Sequence, residues 1–166
     1  MLCPVCRHDN FEGEDSCDNC GADLRSSDIP QSPVDFEGRL LGEHLDALGL
    51  GAPSLIEGTA SVHDALARMR SDGIDCLLVM SGAHLVGILT ERDAVLKVAA
   101  RTAEGLRVRD VMTADPVVLR HDDTLAVAIN KMAVGGFRHI PITDRGRPVG
   151  VVAARDVFSH ILQVIG

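Results

Sequence analysis

Gly87-Ile88-Leu89-Thr90-Glu91-Arg92-Asp93 has a partner 63 residues further on, Gly150-Val151-Val152-Ala153-Ala154-Arg155-Asp156. In each copy a glycine opens an apolar run that ends in polar residues, the pattern of a strand feeding a helix start. Working outward, the same offset aligns residues 53–99 with 116–162 without a gap. Identities fall at Pro53/Pro116, Ala65/Ala128, Met69/Met132, Gly73/Gly136, Val86/Val149, Gly87/Gly150, Arg92/Arg155 and Asp93/Asp156. Glycines and apolar positions that stay in step over this length identify an internal repeat.

Each repeat has the same coarse pattern. A short apolar strand follows a proline, at Leu55-Ile56 and at Val117-Val118-Leu119. Ser61 and Thr124 stand as N-caps, Ser61 with Asp64 three residues on as in a capping box. The following helices place Val62, Ala65, Leu66 and Met69, or Leu125, Ala128, Ile129 and Met132, on one face and end at Gly73 and Gly135-Gly136. Two strands joined at Gly82 or Gly146 come next, and a last helix begins near Thr90 or Ala153. The order is β-α-β-β-α, twice. Such a unit leaves an apolar sheet face uncovered, so the two copies are expected to pack about a pseudo-two-fold axis with a ligand crevice between them. The fold class is α/β (α+β).

The first motif has a chemistry of its own. Gly87 admits close backbone approach at a strand end. Thr90 stands at a helix start, where free N–H groups and the dipole favour an anion, and Asp93 one turn later suits a pair of ribose hydroxyls. The same four residues also make a plain capping box, Thr90 as N-cap and Asp93 at N3, worth about 0.5–2 kcal/mol. The two roles are compatible.

Gly87–Asp93, together with Arg107-Val108-Arg109-Asp110-Val111-Met112-Thr113 and Gly136-Phe137-Arg138-His139-Ile140-Pro141-Ile142, resembles the CBS domain family, arranged as the tandem pair called a Bateman module. The resemblance covers residues 40 to 166. It implies a regulatory module that binds an adenosyl ligand of the AMP, ADP, ATP or S-adenosylmethionine class, pairs into a homodimer, and signals to a partner protein. It also implies a shared site: Gly87, Thr90 and Asp93 hold phosphate and ribose, and Val117, Phe137, Arg138, His139 and Pro141 of the other repeat face the base and phosphate. The mirror site, with Ile74, Cys76, Gly150 and Asp156, departs from the pattern. Ala153 replaces the hydroxyl, Asp75 and Cys76 stand where the other repeat has Arg138 and His139, and a carboxylate there repels a phosphate. This second site is expected to be the weaker.

The N-terminus reads differently. Cys3-Pro4-Val5-Cys6 and Cys17-Asp18-Asn19-Cys20 resemble the two knuckles of a short zinc ribbon, four thiolates closing a structural site on Cys3, Cys6, Cys17 and Cys20. So short a segment cannot bury a core, whereas structural zinc supplies on the order of 10–16 kcal/mol. Residues 1–28 carry Asp9, Glu12, Glu14, Asp15, Asp18, Asp23 and Asp28 against Arg7 and Arg25, which disfavours a phosphate backbone and favours protein docking. The fifth cysteine, Cys76, reads as a small core hydrophobe.

The expected organisation is a zinc ribbon over 1–25, a Pro- and Ser-bearing linker over 26–38, a first repeat over 39–104 and a second over 105–166. Acidic residues outnumber basic ones 24 to 16, a net charge of −8, which again works against nucleic acid. Aromatic residues are 2% of the chain, so a base would rest on aliphatic side chains. Charged residues interrupt any N-terminal apolar run and the longest apolar stretch is too short for a bilayer, so a cytoplasmic protein is expected. No catalytic constellation can be assembled, and no enzyme is expected. A ligand-free dimerisation scaffold and a nucleic-acid adaptor acting through the ribbon are the competing functions.

Overall fold

The computed structural model describes residues 6–10, 16–22, 42–98 and 105–165. The chain divides into two units, Met1–Leu40 and Leu41–Gly166. Cys3, the residues 26–38 of the expected linker and Gly166 lie outside the described residues.

In the larger unit the first repeat runs β1 (Leu55–Glu57), α1 (Val62–Asp72), β2 (Cys76–Ser81), β3 (His84–Thr90) and α2 (Glu91–Asp93), which continues as a π-helical turn over Ala94–Val98. A short α3 (Val108–Val111) and a two-residue β4 (Thr113–Ala114) lead into the second repeat. That repeat runs β5 (Leu119–Arg120), α4 (Leu125–Gly135), β6 (His139–Asp144), β7 (Arg147–Ala153) and α5 (Ala154–Ile165). The two sheets are ordered β1-β2-β3-β4 and β5-β6-β7, with β1/β2 and β5/β6 parallel and both hairpins antiparallel. The mixed α+β architecture with one sheet per repeat is the one the repeat implied, the first sheet gaining β4 as a fourth strand.

The local signals act as their chemistry dictates. Gly73 and Gly136 cap α1 and α4 with φ of +63° and +66°, a backbone that side chains resist, and return their N–H groups to the carbonyls of Met69 and Met132. Ser61 Oγ accepts the Asp64 N–H at 3.0 Å. Thr124 takes the N-cap position without a side-chain bond. Val117 and Val118 fall outside β5, and Val117 is 41% exposed. Its strand is shortened because the parallel pairing with β6 starts only at Leu119 opposite Ile142.

The core of the first repeat gathers Val62, Ala65, Met69, Leu77, Val79 and Leu89 with Val108 and Val111 of α3. Burial of such side chains contributes about 1.5–3 kcal/mol each. The segment that leads into each repeat packs on the other repeat. Val62 donates its N–H to Leu106 O and Val108 donates to Ala60 O, both at 3.0 Å. In the second repeat Leu125 donates to Glu43 O at 2.8 Å and Leu45 to Asp123 O at 3.3 Å. The bridges Ser61/Arg107 and His44/Thr124 are the same pair shifted by 63 residues. A 3₁₀ turn, Leu45–Leu48, therefore lies against the second repeat with Leu45 1% exposed, and Glu43 Oε2 meets His160 Nε2 of α5 at 2.6 Å.

Candidate functional site

Where β3 ends, the backbone turns at Thr90 and α2 begins. Thr90 Oγ1 accepts the Asp93 N–H at 3.3 Å, and the Thr90 N–H and hydroxyl donate to Asp93 Oδ2 at 3.0 and 2.7 Å. The capping box is therefore formed. The other carboxylate oxygen, Oδ1, accepts the Thr113 hydroxyl from β4 at 3.0 Å and meets Lys97 Nζ at 2.6 Å. Burial pushes the Asp93 carboxyl up, but the bonds from Lys97, Thr90 and Thr113 outweigh it and hold it below the ordinary carboxylate value.

This helix start opens on a cleft of about 430 Å³. One wall is Ile88, Thr90–Asp93, Leu96 and Lys97 of the first repeat with Thr113, and the other is Gly135–His139 of the second. Gly135 is needed there, because a Cβ would fall 2.0 Å from the Phe137 ring, which folds back over the end of α4. Arg92 and Lys97 share a wall with Glu91 and Asp93, and Arg138 stands on the other, a local excess of positive charge in an acidic chain. The side chains of Arg92 and Arg138 make no hydrogen bond or ion pair among the described residues, which leaves two planar donor forks for an anion.

Of the residues expected at the first site, Thr90, Asp93, Phe137, Arg138 and His139 come together in this cleft. Gly87, Val117 and Pro141 are not among its lining residues. Gly87 serves a different close approach: a Cβ on it would lie 2.4 Å from Met112 Sδ and 3.0 Å from Thr113 O, where β4 crosses β3. Pro141 is buried in β6 opposite Val151. Lys97, Thr113, Arg92 and Leu96 were not singled out by the sequence. Lys97 stands four residues after Asp93, an ion-pair spacing that could have been noticed. Nothing local marks Thr113.

The residues of the second site sit in several local settings. Ile74 packs on the first repeat's core, Cys76 pairs with Thr90 at the start of β2, and Asp156 Oδ2 accepts the Ala153 N–H at 3.0 Å. Gly150 lines a separate cavity of about 330 Å³ with Gly49, Leu50, His121 and Asp144. Gly49 stands 63 residues before Met112, so the cavity lies where the other repeat is filled by a methionine. The expected repulsion by Asp75 needs correction, because its carboxylate is not alone. Asp75 Oδ2 meets His139 Nε2 at 3.1 Å and Arg155 Nη2 at 3.2 Å. Burial pushes Asp75 up, yet His139 and then Arg155 outweigh it and leave the group below its ordinary value. Cys76 is driven the other way, to about 12, by burial and by the Asp75 and Asp156 charges.

In the N-terminal unit Cys6, Cys17 and Cys20 bring their sulfurs within 4.8 Å of one another, with Cys6 and Cys17 Sγ at 3.6 Å. Tetrahedral zinc with Zn–S of about 2.3 Å places sulfurs roughly 3.8 Å apart, so the three thiols fit that ion. The loop is held by Asn10, whose amide donates to His8 O and accepts the Asp18 N–H, each at 3.0 Å. Hydrogen bonds from Asn19 and the His8 backbone pull the Cys6 thiol down to about 6.

A family model for the CBS domain matches residues 53–100 and 108–163. The chain belongs to the CBS domain family. The Arabidopsis thaliana CBS domain-containing protein CBSCBSPB3 is 38% identical over 120 residues, which are 69% of this chain and 20% of that protein. This chain thus spans only about a fifth to a quarter of the length of the plant relatives it matches. Among solved structures, the CBS domain NE2398 superposes with a TM-score of 0.69 at 26% identity, over 72% of this chain and 98% of that one. Two complexes share the fold at lower identity. They are PAE2072 of Pyrobaculum aerophilum with AMP (TM-score 0.65, 20% identity, 74% and 98% covered) and the MJ0100 pair with 5′-methylthioadenosine and S-adenosyl-L-methionine (0.62, 21%, 74% and 99%). Among the described residues no helix is long and apolar enough to cross a membrane.

Proposed function

We propose that the tandem CBS pair is a regulatory module that binds one adenosyl ligand of the AMP, ADP, ATP or S-adenosylmethionine class in the cleft between its repeats, and is not itself an enzyme. The observation that carries this is the meeting of the Thr90–Asp93 helix start with Phe137–His139 of the other repeat, beside two unpaired arginines. Ribose hydroxyls bind at Asp93, the phosphate or other charged tail at Arg138 and Arg92, and the base lies against Ile88, Leu96 and Phe137. The adenosyl ligands held by PAE2072 and MJ0100 support the ligand class. The mirror site is the weaker, because Ala153 brings no hydroxyl.

Isothermal calorimetry of the full chain with AMP, ADP, ATP and S-adenosylmethionine tests this. Asp93→Ala is expected to weaken binding at least tenfold, about 1.4 kcal/mol, and Asp156→Ala less than threefold. Arg138→Ala, at an exposed residue without partners, should weaken AMP more than adenosine. Equal losses from Asp93→Ala and Asp156→Ala would overturn the asymmetry, and no heat or thermal shift with any of these ligands would favour a ligand-free scaffold.

We further propose a ribbon at 1–25, a linker at 26–38 and repeats at 39–104 and 105–166. In the ribbon, Cys3, Cys6, Cys17 and Cys20 hold a structural zinc, and its acidic surface docks a protein partner in the cytoplasm. A homodimer covers the apolar groove between α4 and α5, which Phe158 lines at 61% exposure, together with Leu162 one turn further along α5, 53% exposed. Leu162→Asp should shift the mass measured by light scattering from dimer to monomer. An unchanged mass would place the interface elsewhere.

A further inference from the structure

We propose that Asp75, Cys76 and His139 form a second metal site, of zinc type, that ties the two repeats together. Cys76 and His139 are equivalent positions of the repeat, 63 residues apart, and each opens its strand: Cys76 opposite Thr90, His139 opposite Ala153. Equivalent residues meet only beside a pseudo-two-fold axis, and here they meet with unlike side chains. A carboxylate oxygen of Asp75, Cys76 Sγ and a ring nitrogen of His139 all lie within 4.8 Å of one another.

A tetrahedral ion with bonds of about 2.0–2.3 Å requires ligand atoms roughly 3.3–3.8 Å apart, so small side-chain rotations close the set. Thiolate, imidazole and carboxylate together select zinc over magnesium or calcium, which take oxygen alone. The Asp75 carboxylate favours a cation as well, and outside the three ligands it is met by Arg155. Arg155 is 73% exposed and reaches Asp75 Oδ2 from outside, so it can leave when a metal arrives. Binding releases the thiol proton of Cys76 to solvent, since the metal takes the thiolate. Three protein ligands leave the fourth position to water.

This site shares His139 with the adenosyl cleft but shares no residue with the N-terminal thiols, so the test counts bound metal and does not rely on nucleotide binding. Metal-free full-length chain is dialysed against zinc and the bound metal counted per chain by mass spectrometry. Cys76→Ser and His139→Ala are each expected to bind one zinc fewer than the natural sequence, while Arg155→Ala keeps the full number. A chain with Cys17→Ser and Cys20→Ser should retain one zinc, which raises its melting temperature, and cobalt in its place should give a charge-transfer band from a single thiolate. This last arm leaves the seam unaltered, so it stands even if Cys76→Ser folds poorly. Equal zinc in the natural chain, Cys76→Ser and His139→Ala, or no metal in the Cys17→Ser, Cys20→Ser chain, would overturn the proposal. AMP binding by the same samples is a separate readout.

Discussion

At the scale of single residues, Asp93 divides its labour between two oxygens. Oδ2 holds the helix start through the Thr90 N–H and hydroxyl, and Oδ1 holds Thr113 and Lys97, so the lone-pair sites of the carboxylate are filled. In the ligand role proposed above, a ribose would displace the Oδ1 partners and leave the Oδ2 cap in place. The capping box was legible in four consecutive residues. Its outer partners were not, because Thr113 reaches Asp93 across 20 residues through a strand pairing that no local pattern announces. The depressed Asp93 value sets a pH dependence. A carboxyl lowered by folding adds stability above its unfolded value, near 3.8, and that stability is lost as pH falls through the lower folded value. Urea unfolding of the natural chain and Asp93→Asn at stepped pH checks this. The natural chain should be the more stable near neutrality, and the difference should shrink below the unfolded value. A difference that stays constant through the acid range would refute it.

Among the elements, the two β-hairpins test how far equivalence of sequence carries. Gly87 and Gly150 align in the repeat, and so do the strands, turns and helix caps around them, which is why the β-α-β-β-α order could be read directly. What could not be read is what covers each glycine. Two-residue β4 is too short to show alternation, and the π-helical turn after Asp93 has the composition of any helix. Met112 and Thr113 press on Gly87, whereas the nearest atom to a Cβ at Gly150 is Ile142 Cδ1 at 3.5 Å, ordinary contact. Gly87→Ala should therefore cost about 1–3 kcal/mol by overpacking, and Gly150→Ala should stay within about 0.5 kcal/mol. Denaturant midpoints give both numbers. The cost at Gly87 should fall in a Met112→Ala background, since the two positions touch. Equal costs at the two glycines would mean that β4 does not press on β3 as drawn.

For the larger unit as a whole, the repeats are coupled by exchanged lead-in segments rather than by a shared sheet. Residues 105–111 lie on the first repeat with three backbone hydrogen bonds and 43–48 on the second with two, each with a fully buried anchor, Val108 or Leu45. The sequence placed the chain from residue 39 with the first repeat by order, but the contacts of residues 43–45 belong to the second, because a repeat's uncovered face is met by whatever chain the pseudo-symmetry brings there. It follows that neither repeat is complete without chain from the other. Leu45 stands before the first repeat, yet Leu45→Ala empties a pocket beside α4 and α5 and should cost about 2–5 kcal/mol. If the straps unite the repeats, the loss is global: one thermal transition moves down, and amide exchange quickens together in β2 of the first repeat and β6 of the second. Faster exchange confined to residues 42–50 would show the segment to be an appendage, and the two repeats would then have to be joined through their facing strand ends alone.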